Sequence, residues 1–333
     1  MNNSEDWSHI FTPLALEQPL PELPLARLRF DLQTAKRTEE NLIKSANETS
    51  STRYLLVDND HIAVPQHSAL KAQLSHELIR AIELPADYIH LLKEKVSHDV
   101  LFLGNYEGIT YCVLWIHDNS NIMVALHHRY DWITVDQFSS HATSLESGLA
   151  VVAMSLVQWH THHRFCPACS TKTEMTAGGW EQYCPQCKTT HYPQIAPAII
   201  TAIIDRNNRL LLQHKVEWSD DPARISVCAG FVEAGESLEH AVRREAYEET
   251  GIHISSVKYQ GSQPWPFPGS LMAAFIAHAQ TTDIHVDQTE VEWAKWYTKD
   301  EFIADLSAEK IRLPSRASIA AAQISQWYGA PLQ

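Results

Sequence analysis

From Ala196 onward the chain alternates short apolar runs with segments of helical period. IAPAIITAIID, RLLLQHK, ISVCAGF, SLMAAFIAHA and EVEWAKWY read as strands. A helix is expected between ISVCAGF and SLMAAFIAHA, and another over about Arg316–Tyr328. This irregular alternation predicts a mixed sheet covered by helices, within an α/β fold class. Upstream, YLLVDNDHIAV reads as strand, turn, strand, with Asp-Asn-Asp as the turn. DVLFLG, ITYCVLWI and NIMVALHH are expected as further strands, and a helix around Ala69–Glu83. Residues 1–143 are therefore expected to form an N-terminal mixed α/β domain, beginning with an irregular stretch that holds Pro13, Pro19, Pro21 and Pro24. SLESGLAVVAMSLVQWH places Leu145, Leu149, Val152 and Leu156 on one helical face, which suits a connecting helix over 144–163. Two further regions follow, 164–195 and 196–333.

Composition narrows the function. The 333 residues are 44% hydrophobic, enough for sizeable cores. The formal net charge of −14 argues against a general binder of phosphate backbones, which needs a basic footprint. It leaves room for a small anionic substrate held through metal ions. No apolar run approaches the ~20 residues that cross a bilayer, so no membrane partner is expected. The first 25 residues lack a basic start and an apolar core, so no secretion signal is read there and the expected location is cytoplasmic. GxGxxG, P-loop and GxSxG patterns are absent, which leaves oxidoreductase, kinase and serine-hydrolase readings without support.

Six cysteines are present. Cys112 and Cys228 lie in apolar runs and read as buried small residues. The other four form Cys166-x-x-Cys169, fourteen residues, then Cys184-x-x-Cys187. Two such turns converge their thiolates on one point, and tetrahedral Zn2+ takes four soft ligands. The site is closed, so its expected role is structural, in a zinc ribbon over 164–195. His160, His162 and His163 just before it read as polar residues rather than ligands.

The expected helix beginning at Leu238 raises an electrostatic question. At 100° per residue, Ala241, Val242, Glu245, Ala246, Glu248 and Glu249 all lie within about 80° of Leu238. Three glutamates thus share the face that should pack inward. Glu245 and Glu249 repel at i,i+4, and carboxylates near a helix C-terminus oppose the dipole. A divalent cation reverses the sign, since Mg2+ or Mn2+ takes carboxylate oxygens and a phosphate completes the shell.

These residues fit a longer pattern. Gly230, Glu236, Arg244, Glu245, Ala246, Glu248, Glu249, Gly251 and Ile252 resemble the Nudix box, with Ala246 smaller than the usual bulky residue. The resemblance implies an α/β/α sandwich around a mixed sheet and cleavage of a nucleoside diphosphate linked to another moiety. It makes Glu245, Glu248 and Glu249 ligands of Mg2+ or Mn2+ and catalytic, Glu249 foremost, with Arg244 orienting a box carboxylate and Glu236 supporting the loop.

SQPWPFPGS, residues 262–270, resembles the signature of the NADH pyrophosphatases within that superfamily, which also carry a four-cysteine ribbon just before the Nudix domain. HYPQIAP between the two regions matches that family as well. This resemblance implies hydrolysis of NADH or NAD to nicotinamide mononucleotide and AMP, removal of NAD caps from RNA 5′ ends, and a homodimer. It assigns the dinucleotide to Gln263, Pro264, Trp265, Pro266, Phe267, Pro268, Gly269 and Ser270. Phe231, and Tyr192 from a second copy, sandwich the nicotinamide. Ala229 and Ala320 contact substrate through backbone atoms, and Glu290 is a further metal ligand. Gly179 departs from the family, which often carries glutamate there. The competing readings are a Nudix hydrolase for another dinucleotide, such as ADP-ribose, and an inactive zinc-ribbon RNA-binding protein.

Overall fold

The computed structural model describes residues 23, 25–75, 77–92, 97–117, 121–267 and 269–332. They divide into two compact units. One holds 27–195 with 265–269; the other holds 196–264 and 270–332 with the described residues before Arg27.

In the first unit, β1 (Arg53–Val57) and β2 (His61–Pro65) form the expected hairpin. Helix α1 spans Leu42–Glu48, α2 Ser68–Ser75 and α3 Ala86–Leu92, with β3 (Glu83–Pro85) between the last two. Helix α2 is thus shorter than expected, and its predicted end at Glu83 belongs to a strand. Strands β4 (His98–Tyr106) and β5 (Ile109–Ile116) match DVLFLG and ITYCVLWI. NIMVALHH is not a strand: α4 covers Asn121–Arg129, and the strand is β6 (Tyr130–Thr134). Met123 and Leu126, three apart, meet the core while Val124 is exposed, a helical spacing that the short apolar run concealed. The sheet runs β4-β5-β1-β2-β6, with β3 on β1 and a parallel β1–β5 pair.

A short α5 (Val135–Ser139) precedes α6 (Ser144–His162). Helix α6 was expected to connect domains through one apolar face. It is buried on most sides, from Glu146 to Val151 and on through Met154, Leu156 and Trp159, because it packs on α5, β4 and β5 within this unit. Strands β7 (Glu174–Thr176), β8 (Glu181–Tyr183) and β9 (Thr190–His191) make the small ribbon sheet.

The second unit is a mixed sheet between helices. Its strands are β10 (Ala196–Ile204), β11 (Leu210–Lys215), β12 (Cys228–Phe231), β13 (Ile254–Trp265), β14 (Ser270–Ala279) and β15 (Val291–Tyr297). The order is β13-β14-β10-β11-β15, with β12 on β10 and a parallel β10–β14 pair. Alternation along β10 and β11 feeds two cores. Ile199, Ile203 and Leu211 pack toward α7 (Leu238–Thr250). Ile200, Ala202, Ile204, Leu210 and Leu212 pack toward α8 (Lys299–Ser307) and α9 (Ile319–Tyr328). Both faces are apolar because both are covered, so the strands read as continuous apolar runs. Leu23 joins the α8/α9 core. No helix among the described residues is long and apolar enough to cross a membrane.

Candidate active site

Helix α7 starts and stops by local chemistry. The Ser237 side chain accepts from His240 N, and Gly251 ends the helix at φ 71°, a left-handed conformation that glycine adopts without strain. Between these caps Ala241, Val242 and Ala246 are fully buried against the sheet. Two glutamates go with them: Glu245 is 9% exposed and Glu249 2%. Glu248 lies at the rim, with its side chain 56% exposed.

Arg244 joins the loop to the helix. Its Nε donates to Glu236 Oε1 at 2.9 Å and its Nη2 to Glu236 Oε2 at 2.8 Å, a two-pronged pair. Its Nη1 reaches Glu245 Oε1 at 2.8 Å and Glu248 Oε2 at 2.9 Å, and Nη2 also donates to the Phe231 carbonyl. These hydrogen bonds from Arg244 hold the Glu236 carboxyl far below the usual carboxylate range, and the same contacts raise Arg244. The Glu236 carboxylate also accepts from Glu233 N and meets His240 Nδ1 at 2.5 Å. Burial pushes Glu245 up, and Arg244 offsets this only in part. Glu245 lies so close to β12 that a Cβ on Gly230 would overlap its carboxylate.

Glu249 has a separate environment that the sequence reading missed. Gln213 Nε2 donates to its Oε2 at 2.9 Å. Oε1 makes no hydrogen bond and has the Lys215 ammonium at 3.3 Å. Lys215 Nζ also donates to the Ala229 carbonyl at 3.2 Å. Burial opposes the lysine's charge, but Glu249, aided by Glu290, outweighs it and raises its pKa. Burial and the Glu249 charge together push the Cys228 thiol up, so Cys228 is an inert neighbour. The available signal was the period of two along β11, which sends Leu211, Gln213 and Lys215 to the α7 side.

The three box carboxylates are not gathered on one point: Arg244 draws Glu245 and Glu248, while Gln213 and Lys215 hold Glu249. Glu290 is exposed just before β15, its backbone N–H donating to Asp287 Oδ2 at 3.0 Å. Glu292 is drawn instead toward His214, 3.5 Å away. All the candidate donors are carboxylate oxygens, and one of them is a buried oxygen without a hydrogen bond. That set suits a hard dication such as Mg2+ or Mn2+.

SQPWPFPGS is not simply a loop. Strand β13 runs through Trp265 and β14 begins at Ser270, so the signature is a strand end with a tight connection. Trp265 and Phe267 meet edge to face at 5.6 Å. Pro264 and Gly269 are half-buried, and Pro266 and Ser270 are buried. Pro268 lies outside the described residues. Gln263 is fully buried; its Nε2 donates to the Ala317 carbonyl at 2.8 Å and its Oε1 accepts from Leu25 N at 3.3 Å. Its side chain is therefore hydrogen-bonded within the fold. Ala320 is buried in the first turn of α9. Phe231 and Tyr192, in different units, are 54% and 56% exposed.

The zinc centre is built from two matching turns. Ser170 N donates to the Cys166 carbonyl at 2.8 Å, and Lys188 N to that of Cys184 at 2.9 Å. Ser170 and Lys188 both sit at positive φ, 57° and 58°. Cys166 N bonds Thr171 O and Cys184 N bonds Thr189 O, each at 2.8 Å. Ligand atoms of Cys166, Cys169, Cys184 and Cys187 all fall within 4.8 Å of one another, which fits a structural Zn2+. His160 is no ligand: it is buried, with Nε2 on the Gly179 carbonyl at 2.8 Å and Nδ1 facing Gln182 Nε2 at 2.9 Å. Gly179 is buried at φ 95°, and a Cβ there would overlap Leu101 Cδ2. The glutamate common in the family has no room at this position.

Comparison with known proteins agrees with this arrangement. Residues 194–320 match the family model for a NUDIX domain, and 162–192 that for an NADH pyrophosphatase zinc ribbon domain. The chain is similar to "NAD-capped RNA hydrolase NudC" of Salmonella schwarzengrund, 40% identical over 62% of this chain and 75% of the relative. It is 40% identical to "Nudix hydrolase 19, chloroplastic" of Arabidopsis thaliana, over 54% of this chain. To "NAD-capped RNA hydrolase NUDT12" of Homo sapiens it is 36% identical, over 55% of this chain. The matched stretch spans 42% of the length of each of these last two proteins.

Proposed function

The chain belongs to the family of Nudix hydrolases that includes the bacterial NudC proteins, and from that premise we propose that it hydrolyses the pyrophosphate bond of NADH or NAD and removes NAD caps from RNA 5′ ends. The products are nicotinamide mononucleotide, or its reduced form, and AMP; on capped RNA the AMP moiety stays on the chain. The observation that carries this reading is a conjunction: box glutamates on the buried face of α7 together with the NADH-pyrophosphatase type of zinc ribbon.

In this reading Glu245, Glu248, Glu249 and Glu290 hold Mg2+ or Mn2+. The bound ions supply charge neutralisation at the pyrophosphate and a polarised water. Arg244 is the positioning residue, since its guanidinium links Glu236, Glu245 and Glu248 at 2.8–2.9 Å. Gln213 orients Glu249. Tyr192 and Phe231 stack on the nicotinamide, and Gln263, Pro264, Trp265, Pro266, Phe267, Pro268, Gly269 and Ser270 bind the dinucleotide. Ala229 and Ala320 contribute backbone contacts. Cys166, Cys169, Cys184 and Cys187 hold Zn2+ as a structural ion, and such reduced thiols suit the cytoplasm. Homodimerisation belongs to the same proposal: the exposed Tyr192 and Phe231 rings, 56% and 54%, suit a nicotinamide sandwiched between two copies.

The test compares wild type with Glu249→Gln on NADH, NAD-capped RNA and ADP-ribose with Mn2+, reading products by mass. AMP and the reduced mononucleotide from wild type only is the expected result. Activity on ADP-ribose alone keeps the Nudix chemistry and overturns the dinucleotide assignment. A fully active Glu249→Gln overturns the metal assignment.

A further inference from the structure

Lys215 stands where a cation is wanted. Its ammonium lies 3.3 Å from Glu249 Oε1, the buried oxygen that makes no hydrogen bond, while Gln213 holds the other oxygen of the same carboxylate. The lysine side chain is only 19% exposed and Glu249 only 2%. A second contact, 3.2 Å to the Ala229 carbonyl, fixes the ammonium from the β12 side. Strand β11 delivers both Gln213 and Lys215, two residues apart on one face. Water screens this pair poorly, so the lysine and any ion reaching Glu249 meet at short range.

We propose that Lys215 is a resident counter-ion of Glu249 that competes with the divalent cation, and so sets the metal concentration at which the site fills. The inference rests on the reading of Glu249 as a metal ligand. Lys215 is a positioning residue here. With no dication bound, it neutralises a buried carboxylate whose other contact, Gln213, carries no charge. For Glu249 to serve a dication, the ammonium would have to give up this carboxylate, and the Ala229 carbonyl would remain to hold it. The site is thus built to stay closed at low metal and to load only when the ion outcompetes an internal lysine. A lysine serving purely as scaffold predicts the opposite sign, because its loss would disorder Glu249 and weaken metal binding.

The experiment measures Mn2+ binding to the zinc-loaded full chain by electron paramagnetic resonance of free Mn2+, without substrate. Lys215→Met and Lys215→Gln are each expected to bind Mn2+ roughly fivefold or more tightly than wild type, since a nearby positive charge has been removed. Lys215→Gln keeps a donor for Ala229 and Glu249, and so guards against a folding defect in Lys215→Met. Lys215→Arg, which keeps the charge, is expected to bind within about twofold of wild type. Equal or weaker binding by both neutral variants overturns the inference. If Glu249→Gln binds Mn2+ as well as wild type, the reading of Glu249 as a ligand falls too. If Glu249→Gln loses Mn2+ while the neutral lysine variants gain nothing, only the competition is refuted.

Discussion

A β-carbon on Gly230 would overlap the carboxylate of Glu245. Strand β12 and helix α7 approach so closely that the hydrogen of a glycine is all that separates them there. Gly230 is paired with Ile199 in the sheet, so an alanine fits the strand itself. Gly230→Ala therefore displaces Glu245 and its link to Arg244 without unfolding the sheet. NADH hydrolysis should fall roughly a hundredfold, the scale of an ångström-sized misplacement, while the thermal midpoint moves little. Unchanged turnover would show that Glu245 is not held at the reacting centre.

The Glu236–Arg244 pair predicts a pH dependence of stability. Arg244 lowers the Glu236 pKa in the folded chain, so its contribution is fully present above the unfolded value and is lost as pH falls through the folded one. Glu236→Gln should cost about 1.5–3 kcal/mol at pH 7, typical of hydrogen bonds to charge. The cost should stay level above about pH 5 and shrink below about pH 4, the ordinary glutamate range. Urea unfolding of both proteins across that range checks it. A gap that narrows at neutral pH would contradict the pairing.

Glutamate cannot be restored at position 179. Gly179 has φ 95°, its carbonyl accepts from or faces His160, and Leu101 fills the space a side chain would take. Gly179→Glu should destabilise the protein by about 3 kcal/mol, combining backbone strain with overpacking. Differential scanning calorimetry would read this as a lower midpoint. A variant as stable as wild type, with tighter substrate binding, would show that the position opens toward ligand.

Cys184→Ser removes a fully buried thiol from the four-cysteine cluster. Zinc content should fall from about one ion per chain to near zero, with a clear drop in the unfolding midpoint, because ligation energy is folding energy in such small modules. Metal analysis that finds no zinc in the wild type would overturn the zinc centre.

Phe231, the last residue of β12, leaves 54% of its surface exposed, whereas Cys228 at the start of the strand is buried. If it stacks on nicotinamide, Phe231→Ala loses about 1–2 kcal/mol of binding. KM for NADH should then rise roughly tenfold with kcat little changed. An unaltered KM would assign the exposed ring to another surface.

Much of this protein was legible in its sequence because the relevant physics is local. The spacing of Cys166, Cys169, Cys184 and Cys187 already specified two turns that converge, and both turns carry the same backbone bonds. The helical phase of Ala241, Val242, Glu245 and Glu249 already placed carboxylates on the inward face. The apolar runs of β10, β11 and β14 announced a sheet covered on both sides.

Tertiary structure decided what depends on residues far apart in the chain. NIMVALHH became a helix because Met123 and Leu126 meet the core at helical spacing, which a short apolar run cannot announce. Gln263 was drawn into the fold by Leu25 and Ala317, 238 and 54 residues away. Glu249 acquired Gln213 and Lys215 from β11 only because the sheet lays that strand beneath α7. Periodicity tells which way a side chain points along its own element; what it meets there is set by the packing of elements that the sequence keeps apart.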